Sequence, residues 1–138
     1  RPFFSANEAM WNAFEPGLRQ RLAQVSETST TSERVQAALL ELLPSGDAAA
    51  EAVAKRLAVS KRTLQRRLKD ENTSYAEVLA RTRERLARHY LSRTTVRSSE
   101  IAFLLGYDEP SSFVRAFHEW TGQTPESLRH SAAPVPTP

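Results

Sequence analysis

The sequence predicts an all-α chain in which two helix-turn-helix units are joined by one long helix, and three observations predict it. Residues 60–71, a short and very basic segment opened by Ser60, sort their side chains onto two opposite helix faces. The pattern around that segment recurs 48 to 49 residues later. Between the copies lies an amphipathic stretch, 75–91, with apolar positions near one side. At 138 residues, 40% hydrophobic and 25% charged, the composition is that of a folded chain long enough for one ordinary domain or two very small ones sharing a core.

Taken in order, residues 1–25 read as helical, with Ser5 and Glu8 in capping-box spacing ahead of Met10, Trp11 and Phe14, and a break at Pro16-Gly17 before Leu18 and Leu22. The aromatics Phe3, Phe4 and Trp11 need a cover, and the chain starts at Arg1 without an initiator Met, so this part is expected to be the end of a larger domain. Residues 26–32 are too polar to bury and read as a linker. A helix from near Ser32, marked by Val35, Leu39, Leu40, Leu42 and Leu43, is expected to stop at Pro44-Ser45-Gly46. An alanine-rich helix follows over about 48–57, whose small residues let another helix approach closely. Ala58-Val59-Ser60 is then a turn of the length that joins two helices in a helix-turn-helix.

In the basic segment Leu64 and Leu68 share one face, while Arg62, Gln65, Arg66 and Lys69 fall on the other at i, i+3, i+4, i+7. One face asks for a core and the other for an anion. Arg and Gln carry planar, multi-donor ends that bond two atoms of a base edge at once, so the stripe points toward duplex DNA. Ser74 and Glu77 suggest a capping box opening the long helix, with Glu77/Arg81 and Glu84/Arg88 as i, i+4 pairs. A fresh helix starts at Ser98 and ends at Gly106. Pro110 suits the first position of the next, which runs to about Trp120 and is closed by Gly122. Thr124-Pro125 opens a last helix to about His130, and 131–138, with three prolines, is expected to be a disordered tail.

The repeat is specific. Val53-Ala54, Leu57-Ala58-Val59 match Ile101-Ala102, Leu105-Gly106-Tyr107 at an offset of 48, and Leu64 with Leu68 match Phe113 with Phe117 at 49. The offset of 49 carries Arg62, Gln65, Arg66 and Lys69 onto Ser111, Val114, Arg115 and His118. The arginine at the centre is kept.

Charge follows the same map. The net +3 conceals twelve Lys and Arg against four Asp and Glu in residues 53–93, with both flanks net acidic. Concentrated positive charge suits a polyanion, because neutralised phosphates release counterions. A merely solvated basic face, or a basic face that meets an acidic protein partner, fits the charge alone as well; a reproducible motif selected from random DNA separates these readings.

No run of about 18 apolar residues and no export leader is present. With zero cysteines there is no disulfide framework or thiolate metal site, and nothing conflicts with a cytoplasmic location. His89, His118 and His130 lack metal-site spacing, and no nucleophile elbow or glycine-rich phosphate loop occurs. Neither an enzyme nor a cofactor nor a metal is expected.

The segment 60–68, the long helix, and above all the block from Ile101 to Phe117 with Gly122 to Pro125 and Leu128-Arg129 resemble the AraC/XylS family of bacterial transcription regulators. The likeness covers about residues 33–130. It implies seven helices in two homeodomain-like helix-turn-helix subdomains, asymmetric promoter sites on double-stranded DNA, and activation through contact with RNA polymerase. The implied organisation is 1–30 as the remnant of an effector or dimerisation domain plus linker, 31–73 and 93–130 as the two subdomains, and 74–92 as the linker helix. A small-molecule effector would bind the missing N-terminal domain. The family's groove-facing positions fall on Arg62, Gln65 and Arg66 in the first unit and on Pro110, Ser111, Val114 and Arg115 in the second. Phosphate contacts are expected from the helix N-termini at Ser60 and Pro110 and from flanking Lys and Arg such as Lys61 and Lys69, and His118 lies on the same face. Two positions depart from the family pattern. Tyr107 stands where Phe is commoner, and Ala58 where a turn glycine is frequent, so the first turn is expected to take a slightly different backbone path. Arg81, Arg83, Arg85 and Arg88 are expected to be solvated or salt-bridged, with some touching phosphate, and Tyr75, Tyr90, Phe103 and Trp120 to be core.

Overall fold

The computed structural model describes residues 29–132, and these form seven α-helices and one 3-10 turn with no strand. The helices are α1 (Thr31–Leu42), α2 (Ala50–Arg56), α3 (Lys61–Asp70), α4 (Tyr75–Arg93), α5 (Ser98–Leu104), α6 (Pro110–Thr121) and α7 (Pro125–Ala132). The expected helix over 1–25, with its aromatics, lies outside the described residues.

The first helix begins a residue earlier than expected, because Thr30 and Glu33 form a reciprocal capping box. Thr31 and Ser32, read above as linker, are helical for a further reason. The Glu71 carboxylate accepts from the Thr31 and Ser32 amides at 2.7 and 3.0 Å and from the Ser32 hydroxyl at 2.9 Å. Glu71 is itself the C-cap of α3, so the start of α1 is tied to the end of the basic helix. Leu42 ends α1, and a 3-10 turn over Leu43–Ser45 carries Leu43 inward, fully buried.

The long α4, nineteen residues or about 28 Å at 1.5 Å per residue, touches α1 on one side and α5 and α7 on the other. The α1–α2–α3 group and the α5–α6–α7 group therefore share it, and their buried side chains form one continuous cluster running from Val35 through Leu86 and Tyr90 to Phe117. Arg129 of α7 closes the end of α4, donating to the Tyr90, Leu91 and Thr94 carbonyls at 3.2 Å each. The Tyr90 carbonyl also accepts from the Thr94 amide and hydroxyl, while the Leu91 carbonyl is one that a helix end otherwise leaves unpaired.

The repeat is present in the backbone. α2 and α5 are both seven residues long and 48 apart, and their exits use matching bonds: Val59 N–H to Ala54 O and Tyr107 N–H to Ala102 O, each 3.0 Å. Ala58 has φ +60 and Gly106 φ +87. The different path expected for the first turn is thus not taken; alanine adopts the left-handed conformation, which costs an L-residue about 1–2 kcal/mol.

Several smaller expectations are corrected. Ser74 caps α4 by accepting from the Glu77 amide, but the Glu77 carboxylate turns to the Thr73 hydroxyl (3.1 Å) and Arg81 donates to that same hydroxyl at 2.9 Å. The direct Glu77/Arg81 pair gives way to a bridge through Thr73, whereas Glu84/Arg88 pair directly at 3.0 Å. Phe103 is 49% exposed rather than core, because α5 turns only Ile101 and Ala102 inward. Ser131 and Ala132 continue α7; residues 133–138 lie outside the described residues.

Candidate nucleic-acid interface

Ser60 starts α3 with extended backbone, and its Oγ accepts from the Thr63 amide at 3.0 Å. One of the orphan amides of the first turn is thereby satisfied, and others remain directed at whatever approaches the helix end. Leu64 and Leu68 are fully buried and fix the rotation of α3 about its axis. That rotation places Arg62, Gln65, Arg66 and Lys69 on the exposed side. None of these four side chains makes a hydrogen bond or ion pair within the described residues. Three cations and an amide held along one face without partners form a surface ready to bind an anion at no cost in broken contacts.

Lys61 differs from its neighbours. Its Nζ sits 2.9 Å from a Glu51 carboxylate oxygen on α2, and the hydrogen bond from Lys61 holds that carboxyl below the usual range. Such an exposed pair contributes little to stability, and a phosphate can replace the carboxylate. Gln65 and Lys69 also line a groove of about 530 Å³ with Ala50, Thr73 and Tyr75, continuing the same face toward the start of α4. The Tyr75 hydroxyl donates to Ala48 O at 2.7 Å, and burial pushes this phenol up to about 12.

On α6 the inward pair is aromatic. Phe113 and Phe117 are fully buried with ring centroids 5.7 Å apart, edge to face, and Trp120 extends the row at 6.3 Å from Phe117. Ser111, Val114, Arg115 and His118 are exposed, and Pro110 opens the helix half-buried. Two features of this end were not drawn from the sequence. Glu109 is the N-cap and makes no side-chain capping bond, and exposed Asp108 precedes it. The second helix therefore has Asp108 and Glu109 where the first has Val59 and Ser60, and their negative charge disfavours the phosphate contact expected at Pro110. The structure thus gathers the sequence-derived residues on the outer faces of two equivalent helices, and it separates their chemistry: dense cations on α3, one arginine and short side chains on α6.

Sequence reasoning also missed Arg83. Rather than facing solvent, its Nε donates to Leu105 O at 2.7 Å and its guanidinium stacks 4.0 Å from the Tyr107 ring centroid. Burial lowers its pKa, and burial likewise raises that of Tyr107. Nothing in the sequence sets Arg83 apart from Arg81, Arg85 and Arg88; only its position on the inner side of α4 does. Among the described residues no cluster of three or more His, Asp or Glu side chains could hold a metal, and no helix is long and apolar enough to cross a membrane.

A family model described as a helix-turn-helix domain matches residues 53–131. The transcriptional regulator VirS of Mycobacterium tuberculosis is 42% identical over 101 residues, which cover 73% of this chain and 30% of that protein. The ornithine utilization regulator of Pseudomonas aeruginosa is 37% identical over 131 residues, 95% of this chain and 38% of that protein. The chain thus spans about a third of the length of these curated relatives. Among solved structures, the DNA-binding domain of the global transcriptional factor AdpA, in complex with a target DNA, superposes with a TM-score of 0.64 at 24% identity, covering 75% of this chain and 93% of that one.

Proposed function

The chain belongs to the AraC-type helix-turn-helix family of DNA-binding transcription regulators, and from that premise we propose that α3 and α6 enter two successive major grooves of one promoter duplex. Fold and family are those of DNA-binding regulators, not of enzymes. The observation that carries the proposal is the paired construction itself: each helix is pinned by a fully buried pair, Leu64/Leu68 or Phe113/Phe117, and turns an arginine-centred polar stripe outward.

In this reading Arg66 and Arg115 donate to guanine edges, Gln65 pairs with adenine, and Val114 packs on a thymine methyl. Ser60, Lys61, Arg62 and Lys69 set register on the phosphate backbone, while Pro110, Ser111 and His118 line the groove under the second helix. Residues 31–73 and 93–130 act as the two subdomains and 74–92 as the rod between them. The intact regulator activates transcription in the bacterial cytoplasm by contacting RNA polymerase, and its effector binds the domain that precedes residue 31. The 37% identity to the ornithine utilization regulator extends over 95% of this chain, so the likeness reaches into residues 1–30 as well.

The test compares two substitutions on cognate and scrambled duplexes. Arg66→Ala is expected to cost about 1–3 kcal/mol and relax preference at one base pair, whereas Lys69→Ala weakens all sequences alike and lowers the salt slope by about one. Equal losses on both duplexes for Arg66→Ala would contradict its role. The acidic N-terminus and short side chains of α6 favour a second reading of that unit alone, in which it holds backbone and polymerase more than bases; protection confined to one groove segment would support it.

A further inference from the structure

The two turns of the repeat share a left-handed backbone but not a residue: the first has Ala58 and the second Gly106. Ala58 is exposed and carries its Cβ at φ +60, so the left-handed turn can be made without glycine, although φ +87 at Gly106 adds strain of its own to any substitution. The surroundings favour glycine further. A Cβ on Gly106 would stand 3.0 Å from Leu43 Cδ2 and 3.3 Å from an Arg83 terminal nitrogen. Leu43 is fully buried in the 3-10 turn after α1, so it can yield only by shifting within the core, and Arg83 is held by its bond to Leu105 O and its stack on Tyr107. α5 packs on this same 3-10 turn. Residues 105–107 are the turn that launches α6, so the second recognition helix leaves from a point clamped between the first unit (Leu43) and the rod (Arg83).

We propose that Leu43, Arg83 and Gly106 form the joint that fixes α6 relative to α3, making Arg83 a positioning residue for the base-pair spacing the chain accepts between its two groove segments. The spacing role rests on the two-groove reading above; the rigidity of the joint does not. A guanidinium that donates to a carbonyl of the turn while stacking on its aromatic ring restrains both translation and tilt. Lysine at this position retains a donor but not the planar stack.

Two measurements test the joint in the 138-residue chain. First, the chain has no native cysteine, so spin labels on Asp70→Cys and Glu119→Cys report the distance between the ends of α3 and α6 without DNA. A narrow distribution is expected for the parent and a broad one for Arg83→Ala and Gly106→Ala, with Arg83→Lys between them. Second, affinity is measured on duplexes whose two segments are moved apart by one, two and three base pairs. The parent should show one optimum, and Arg83→Ala should flatten the preference about fivefold, the worth of one hydrogen bond, with unchanged affinity for a duplex carrying the first segment alone. Ala58→Gly, in the equivalent but exposed turn, should alter neither readout. Narrow distributions in Arg83→Ala and Gly106→Ala would overturn the joint itself. A parent with no spacing optimum but a narrow distribution would overturn the two-groove reading and the spacing role with it, leaving the rigid joint standing.

Discussion

At the scale of single residues, the structure separates side chains that hold the fold from those left exposed on the outer helix faces. Leu64, Leu68, Phe113 and Phe117 were legible as an inward set because their spacing is helical and repeats at 49 residues, and all four are fully buried. Ala58 carries a cost the repeat makes visible: its φ of +60 is one that glycine adopts freely. Ala58→Gly should therefore raise stability by about 1 kcal/mol, read as a higher urea midpoint with unchanged slope, since the gain in native strain relief exceeds the added freedom of the unfolded chain. Tyr90 shows the reverse imbalance, with its ring 1% exposed and its buried hydroxyl without a hydrogen-bond partner among the described residues. An unsatisfied hydroxyl contributes nothing that phenylalanine lacks, so Tyr90→Phe should leave the melting temperature equal or higher; a drop would mean the hydroxyl is satisfied in solution.

At the scale of elements, what the sequence concealed are links between segments distant in the chain. Local periodicity locates α1 and α3, yet it cannot show that Glu71 at the end of one caps the start of the other across forty residues. Burial pushes the Glu71 carboxyl up, but hydrogen bonds from the Thr31 and Ser32 amides and hydroxyls together outweigh it and hold the group below its ordinary value of 4.5. A depressed carboxyl stabilises the fold above the unfolded value and loses that contribution as pH falls through the folded value. Glu71→Ala should accordingly destabilise by about 1 kcal/mol at neutral pH, the scale of a lost helix cap, and the gap to the parent should narrow as pH falls below the ordinary value of 4.5 and through the lower folded value. Denaturant titrations of both proteins across that range check it; a gap independent of pH would assign the effect to packing. Arg83 and the Thr73 bridge were hidden for the same reason: four arginines along one helix look alike until the neighbouring helices decide which of them points inward.

At the scale of the molecule, the shared α4 and the single core turn two small units, each marginal alone, into one body. In the proposed reading one chain presents both helices to DNA, and its repeat is unequal: α3 carries the charge, α6 the aromatic anchor and a sparse outer face. That inequality predicts an asymmetric site in which the segment under α3 is the more stringently defined. The most direct measurement is selection of bound sequences from random duplexes followed by footprinting at known protein stoichiometry. Two unlike conserved segments, centred about 10 base pairs apart on one face of the duplex and protected by a single chain, are the predicted result. A lone conserved segment, a palindrome occupied by two chains, or no enriched sequence at all would contradict it.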